Sequence, residues 1–214
     1  MSHPAPTFTL HPLTLPEIPH FVTIYFTSFQ NAHSHGCWPR TPAVRAWWET
    51  MLRDELHEPG ANWLTAKDTT TGEIAGFCKW VEPQPGKEVD ESLPSWPEGA
   101  DERLCEETFG AWARRKGELM GRRGFWYLEI IATAPAYQGK GAGSAMLRWG
   151  TQRADEQNVE AYLEASPEAV RLYQKFKFEE ADKIDTFIDN ARVKATWYRN
   201  LFMIRQPQSQ SRSS

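Results

Sequence analysis

Residues 125–149 read Phe-Trp-Tyr-Leu-Glu-Ile-Ile-Ala-Thr-Ala-Pro-Ala-Tyr-Gln-Gly-Lys-Gly-Ala-Gly-Ser-Ala-Met-Leu-Arg-Trp. The apolar run 125–133 predicts a buried strand, and Ala142, Ala145, Met146 and Trp149 recur at helical spacing. Between them stand Gln138-Gly139-Lys140-Gly141-Ala142-Gly143, three glycines in six residues. A strand-to-helix turn of this kind suits a phosphate. The first N–H groups of a helix lack internal partners, the helix dipole is positive there, and glycine lets a ligand approach the backbone. Two familiar phosphate motifs fail on spacing. The dinucleotide pattern Gly-x-Gly-x-x-Gly, begun at Gly139, needs glycine where Ser144 stands, and no glycine precedes the Lys-Ser or Lys-Thr of a nucleotide P-loop.

Working outward, Phe8-Thr9-Leu10 predicts a first strand and Leu15–Phe29 a first helix, with apolar residues at Ile18, Phe21, Val22, Tyr25, Phe26 and Phe29. Thr41-Pro42 caps a second helix that ends near residues 58–60. Residues 62–67 and 76–81 form a hairpin across the turn 68–72, residues 83–97 are a proline-rich loop, and 101–120 a helix. After the glycine stretch come a helix to about Gln157, a strand at 160–163, a short helix at 167–176 and final strands at 185–188 and 193–202. Residues 1–205 make a single domain of mixed α/β (α+β) class, and the polar tail 206–214 is expected to be disordered.

The chain has 214 residues, 40% hydrophobic and 24% charged, a globular composition. No apolar run reaches the roughly 20 residues of a membrane helix and no leader pattern opens the chain, so a soluble, cytoplasmic protein with no membrane partner is expected. Cys37, Cys78 and Cys105 are widely spaced and are expected as reduced thiols. The net charge of −4 argues against nucleic acid as a partner. Charge is segregated: residues 82–107 carry nine acids and two bases, residues 111–150 seven bases and two acids. Such runs form either solvated faces or an anion site beside a cation site.

The stretch 138–143 resembles the Gln/Arg-x-x-Gly-x-Gly/Ala loop of the GNAT superfamily of acyl-CoA dependent N-acetyltransferases. Leu128–Pro135 is similar to that family's fourth strand, and Ser166–Phe178 to its helix and tyrosine region. Ser166 replaces a common asparagine and Lys177 a common glycine. The resemblance implies a mostly antiparallel sheet of six to seven strands, with strands 4 and 5 splayed apart and helices on both sides. It also implies acetyl-CoA as cosubstrate and no metal. The pantetheine arm would pair with Ile131, Ala132 and Thr133. The pyrophosphate would lie against the N–H groups of Gly139, Lys140, Gly141, Ala142, Gly143 and Ser144, with Gln138 closing one side. Ser166 would border the same site.

Acetyl transfer to an amine needs a base, because an alkyl ammonium with pKa ~10.4 must lose a proton before it attacks. Glu129 is a carboxylate in an otherwise apolar strand, where strict alternation would put 127, 129, 131 and 133 on one face. It is read as general base, directly or through water, or else as one half of a structural ion pair. A backbone N–H near Ile131 or Ala132 would stabilise the developing oxyanion. Tyr173 occupies the family's tyrosine position and is read as the acid for the departing thiolate, or as packing beside Leu172 and Phe176.

His33-Ser34-His35-Gly36-Cys37 holds three potential metal ligands, but a structural zinc site needs four, so a loop is expected. His33, His35, Trp38 and Trp80 are candidates to contact the acceptor. The expected activity is direct acetyl transfer within a ternary complex to a small-molecule primary amine, by a monomer or homodimer. Acetylation of a protein N-terminus or lysine, or acyl-CoA binding without turnover, are the alternatives.

Overall fold

The computed structural model describes residues 7–208. Strands are β1 (Phe8–Pro12), β2 (Ala61–Asp68), β3 (Ile74–Val81), β4 (Phe125–Thr133), β5 (Glu160–Ala165), β6 (Glu179–Asn190) and β7 (Val193–Arg205). Helices are α1 (Ile18–Ser28), α2 (Ala32–Cys37), α3 (Pro42–Glu55), α4 (Glu102–Met120), α5 (Ala142–Gln157) and α6 (Val170–Lys175). The seven strands form one sheet in the order β1-β2-β3-β4-β5-β7-β6. Only β4 and β5 run parallel, as α5, the crossover between them, requires. The mixed sheet with helices on both faces is the expected architecture.

Each face of the sheet has its own core. Met146, Leu147 and Ala154 of α5 and Tyr173 of α6 pack on Cys78, Trp80, Trp126, Leu128 and Leu163. On the other face, α1 (Phe21, Val22), α3 (Val44, Trp48, Leu52) and α4 (Leu104, Cys105) pack on Trp63, Phe77 and Ala132. All three cysteines are free and buried. Trp80 is fully buried, and its indole N–H donates to the Met146 carbonyl of α5 at 3.2 Å. It is core on the α5 face and presents no surface to an acceptor, contrary to the expectation from its place beside the acidic loop.

Three further differences from the sequence reading are long-range in origin. The segment around His33 is the short helix α2 rather than a loop. Asn31 caps its start by accepting from the Ser34 N–H at 2.9 Å, while Arg192, from the β6–β7 turn, donates to the carbonyls of His35, Gly36 and Cys37 at its end. Six residues would not hold a helix alone. The final strands are longer than predicted because β6 and β7 pair along most of their length. Residues 206–208 stay close to the body, with Gln206 bonded to Glu160 and the Gln208 N–H to Asp155. The rest of the polar tail, 209–214, lies outside the described residues.

His33 is buried among Tyr198, Phe109 and Trp112, with ring centroids at 5.5, 5.6 and 5.4 Å. Burial pulls its pKa down to about 4, so the folded protein holds it neutral. The unfolded chain takes up that proton near pH ~6.5, so this contribution is present above pH ~6.5 and is lost as pH falls toward 4. At pH 4 the loss reaches about 3 kcal/mol. Denaturation midpoints measured across that window should fall less steeply in His33→Phe, which keeps a ring in the slot, than in the parent.

A second prediction concerns α5. A Cβ at Gly150 would overlap the indole of Trp80, so the helix can lie this close to β3 only with glycine there. Gly150→Ala gains ~1 kcal/mol of helix propensity, but overpacking a buried indole costs about 1–3 kcal/mol or more. A net lowering of the melting temperature is expected.

Candidate active site

The site is built where β4 and β5 part. They pair from Phe125↔Glu160 to Leu128↔Leu163 and no further, yet β4 runs on to Thr133 beside β3. On the β5 side, residues 129–133 therefore have no ladder partner. A bulge lies at the same place: Lys79 pairs with Ile130 and Trp80 with Leu128, leaving Glu129 as the extra residue. The bulge breaks the strict alternation assumed for 127, 129, 131 and 133. Trp126 and Leu128 face α5, Ile130 and Ala132 face α1 and α3, and Ile131 faces α5 again. The backbone is set as well. The Ala134 N–H donates to Ala75 of the β3 side at 2.8 Å, so alternation turns the N–H and C=O of Ile131 and Thr133 into the gap and those of Ala132 away from it. The Thr133 carbonyl accepts from Ser28 Oγ at 2.8 Å and from Gln138 Nε2 at 3.2 Å.

The glycine loop follows. Gly139 has φ of 73° and Gly141, the N-cap of α5, has φ of 104°, conformations that favour glycine. A Cβ at Gly139 would project into open space, and one at Gly141 would meet only the Phe8 ring at 3.9 Å. The first return bond of the helix is Ala145 N–H to Gly141 C=O, and no side chain caps the start. The N–H groups of Ala142, Gly143 and Ser144 thus have no intrahelical partner and stand at the positive end of a helix dipole. Lys140 lies over the Tyr137 ring at 5.7 Å, adding positive charge. The cradle fits a phosphate, and the gap beside Ile131 and Thr133 fits an extended chain bearing amides. This combination suits acetyl-CoA.

On the opposite face of the gap the groups are ionised or phenolic. Buried Lys79 donates to Glu55 at 2.7 Å and to Glu129 at 3.0 Å. Burial opposes its charge, but the two carboxylates outweigh this and hold its pKa above the ordinary lysine value. Burial raises Glu55, partly offset by Lys79. Glu129 itself keeps 37% of its side chain exposed, so the ion pair leaves it reachable. Beside it, Tyr127 OH donates to Glu164 of β5 at 2.9 Å. Tyr173, on the α5 face, is buried, and burial followed by the nearby Glu164 charge keeps its phenol protonated. Its hydroxyl makes no hydrogen bond among the described residues.

The remaining candidates are dispersed. Ser166 follows β5 directly, and its carbonyl accepts from the Ala169 N–H. Trp38 is buried, stacked on Phe109 and Trp96. His35 is half-buried with Nε2 at 3.1 Å from Gln30 Oε1. Neither His33 nor Trp38 presents an open surface. Among the described residues no three His, Cys, Asp or Glu side chains gather as a metal site, and no helix is long and apolar enough to cross a membrane. Part of the segregated charge is taken up in ion pairs of solvated side chains, such as Arg103–Glu107 and Arg122–Glu88. Lys177 takes φ of 66°, so it adopts the left-handed backbone that glycine would supply. The sequence motifs do not mark Lys79, Glu55, Tyr127 or Glu164, which the fold brings to the same gap. The criterion that singled out Glu129, a charge within an apolar strand, also marks Lys79 in Gly76–Val81 and Glu164 in Ala161–Ala165.

Comparison with known proteins agrees with this geometry. The model of the acetyltransferase (GNAT) family matches residues 19–178. A protein of Schizosaccharomyces pombe named as an N-acetyltransferase is 32% identical over 69 residues, which is 32% of this chain and 29% of that relative's length. Among solved structures, a Corynebacterium glutamicum protein described as histone acetyltransferase HPA2 and related acetyltransferase superposes with TM-score 0.61 at 24% identity, covering 97% of this chain and 99% of its own. NAA60 of Arabidopsis thaliana, solved with a bisubstrate analogue, gives 0.60 at 12% identity over 95% and 100%. At such identities these structures speak to the fold. The family match over most of the chain, the parting of β4 from β5 and the uncapped glycine turn together make this chain a member of the GNAT acetyltransferase family.

Proposed function

We propose that the protein transfers the acetyl group of acetyl-CoA to the primary amine of a small molecule by direct attack in a ternary complex. The observation that carries this reading is the juxtaposition of free N–H groups at the start of α5 with the unpaired edge of β4. Residues 139–144 hold the pyrophosphate, Gln138 closes one side, and the Ile131 carbonyl and the Thr133 N–H pair with the pantetheine amides. The Ile131 N–H is the oxyanion donor, since that of Ala132 turns toward β3. Tyr173, kept protonated, donates to the departing sulfur.

Two protons leave the acceptor nitrogen in this reaction. One comes from the ammonium before attack, and Glu129 takes it, directly or through water, and passes it to solvent. The other leaves as the amide forms. The surroundings of Glu129 favour a cationic acceptor, since two carboxylates flank one lysine. The loop 82–101 favours an enclosed small molecule over a long peptide groove. It is tied to α3 by Trp47 Nε1 donating to Ser95 O at 2.8 Å, to α2 by the Asp101 N–H donating to Cys37 O at 2.7 Å, and it lies against α4 where Leu93 meets Gly110.

The reading is tested by release of free CoA thiol from acetyl-CoA across a panel of small amines, with peptides bearing a free N-terminus or lysine as comparators. Peptide turnover exceeding that of every amine would overturn the small-molecule assignment, and acetyl-CoA binding without turnover would overturn the enzyme. Gly141→Val puts a branched side chain at φ of 104° in the phosphate cradle. Titration calorimetry of the folded variant should show CoA affinity reduced at least tenfold, and unchanged affinity would refute the cradle.

Glu129→Gln keeps shape while removing the base. Because the carboxylate works only when ionised, kcat/KM should fall on the acid side in the parent. The variant should lose that limb together with about 10²- to 10⁴-fold in rate. A purely structural ion pair predicts a lower melting temperature with kinetics and pH profile intact.

A further inference from the structure

The second proton has a candidate acceptor that no motif marks. Tyr127 and Tyr162 form the penultimate pair of the β4–β5 ladder, and Glu164 is the first β5 residue after Leu163, where the strands separate. Tyr127 OH donates to Glu164 Oε2 at 2.9 Å across the mouth of the gap, on the face that also carries Glu129. Behind this bond the pair is shut off from water. Glu164 Oε1 and the Tyr162 hydroxyl are both buried without a hydrogen-bond partner, although a buried polar atom left unpaired costs about 1–3 kcal/mol. A carboxylate kept at this cost, between two phenols in a strand otherwise built of Ala161, Leu163 and Ala165, calls for a use.

Resting on the acetyl-transfer reading above, we propose that Tyr127, backed by Glu164, takes the proton that the acceptor nitrogen sheds as the amide bond forms. The C–N bond forms and the C–S bond breaks. The surplus proton on nitrogen passes to the Tyr127 oxygen while the Tyr127 hydroxyl proton passes to Glu164, and the sulfur takes its proton from Tyr173, which is refilled from solvent. Glu164 then returns its proton through Tyr127 to the gap and solvent, balancing the one that Tyr173 draws, so that with the proton released through Glu129 one ammonium and one thioester yield one amide, one thiol and one proton. Tyr127 is the group that meets the substrate, and Glu164 is the positioning residue behind it.

The charged and titratable groups around Glu164 suit this task. Burial raises its carboxyl above the ordinary range, opposed by Lys116 of α4 and by the hydrogen bond from Tyr127, and supported by the charge of Glu129 on β4. Burial and then Glu164 itself raise Tyr127, so the phenol alone is not a base, and relay to the carboxylate makes it one. Lys116 Nζ lies 4.0 Å from the centre of the Tyr127 ring, which fixes the ring over the gap. On the far side Tyr173 of α6 senses the same carboxylate.

The test uses the full chain, acetyl-CoA and the amine that the parent protein turns over fastest. Tyr127→Phe and Glu164→Gln should each lower kcat about 10²- to 10⁴-fold while CoA affinity, measured by calorimetry, is unchanged. The pH profile separates this role from packing. The acid limb of kcat, which reports the ternary complex, should vanish in Glu164→Gln and persist in Glu129→Gln, whose effect falls on kcat/KM. Independently of any amine, carbon-13 NMR of glutamate-labelled protein should show one carboxyl, absent from Glu164→Gln, titrating above the ordinary glutamate range. Full turnover in Tyr127→Phe, or a Glu164 carboxyl titrating in the ordinary range, would overturn the relay alone. A parent protein that binds acetyl-CoA and acetylates no amine or peptide would instead remove the parent reading and the relay with it.

Discussion

The parting of β4 from β5 after Leu128 and Leu163 is the constraint on which the rest of this structure depends. A sheet strand with one edge unpaired in the middle of a protein is costly, because each buried N–H or C=O without a partner loses its bond to water. The fold limits that cost locally. Ser28 and Gln138 occupy the Thr133 carbonyl, and the bulge at Glu129 lets β4 keep its ladder with β3 while bending away from β5. What remains open is the backbone of Ile131 and the N–H of Thr133, a strip where a ligand can add the missing bonds.

The bulge has a second effect, which is chemical. By adding one residue it turns Glu129 and Ile130 to the same face and sends Ile131 to the other, so the carboxylate and the Ile131 side chain end on opposite sides of one strand. Lys79 sits beneath that carboxylate, already bonded to Glu55, and its ammonium is retained in the interior because two anions flank it. An isolated lysine there would give up its charge, and an isolated pair of carboxylates would repel. The triad therefore anchors Glu129 without covering it. Tyr127 and Glu164 form a second polar cluster a few residues away, bridging the two strands where they part.

Glycine and aromatic residues set the distances. Gly150 allows α5 to lie on Trp80, which brings the start of that helix up to the end of β4, and Gly139 and Gly141 carry the chain between them with left-handed turns. On the opposite face, Trp38, Trp47, Trp48, Trp96 and Phe109 form one aromatic cluster that seats α2, α3 and the loop before α4. Most of the ten tryptophans are structural in this sense. Four of their indole N–H groups, those of Trp38, Trp48, Trp63 and Trp112, are buried without a hydrogen-bond partner among the described residues.

Local chemistry in the chain was enough to specify much of this protein. The apolar run 125–133, the glycines of 138–143 and the periodicity of 142–157 dictated a strand, an anion-receptive turn and a helix, because backbone conformation and helix-end polarity are properties of neighbouring residues. The Thr41-Pro42 cap and the hairpin around residues 68–72 were legible for the same reason. Tertiary structure decided what depends on partners distant in sequence. Helix α2 exists because Arg192 reaches its C-terminal carbonyls, and the length of β6 and β7 follows from their pairing. The facing of residues 129–133 follows from a bulge that only β3 can register. Trp80 and His33, polar-tipped and flexible in an isolated segment, became core once helices closed over them. Lys79, Glu55 and Glu164 come from three separate elements, and only the fold brings their charges close enough to Glu129 and Tyr127 to set the electrostatics of the gap.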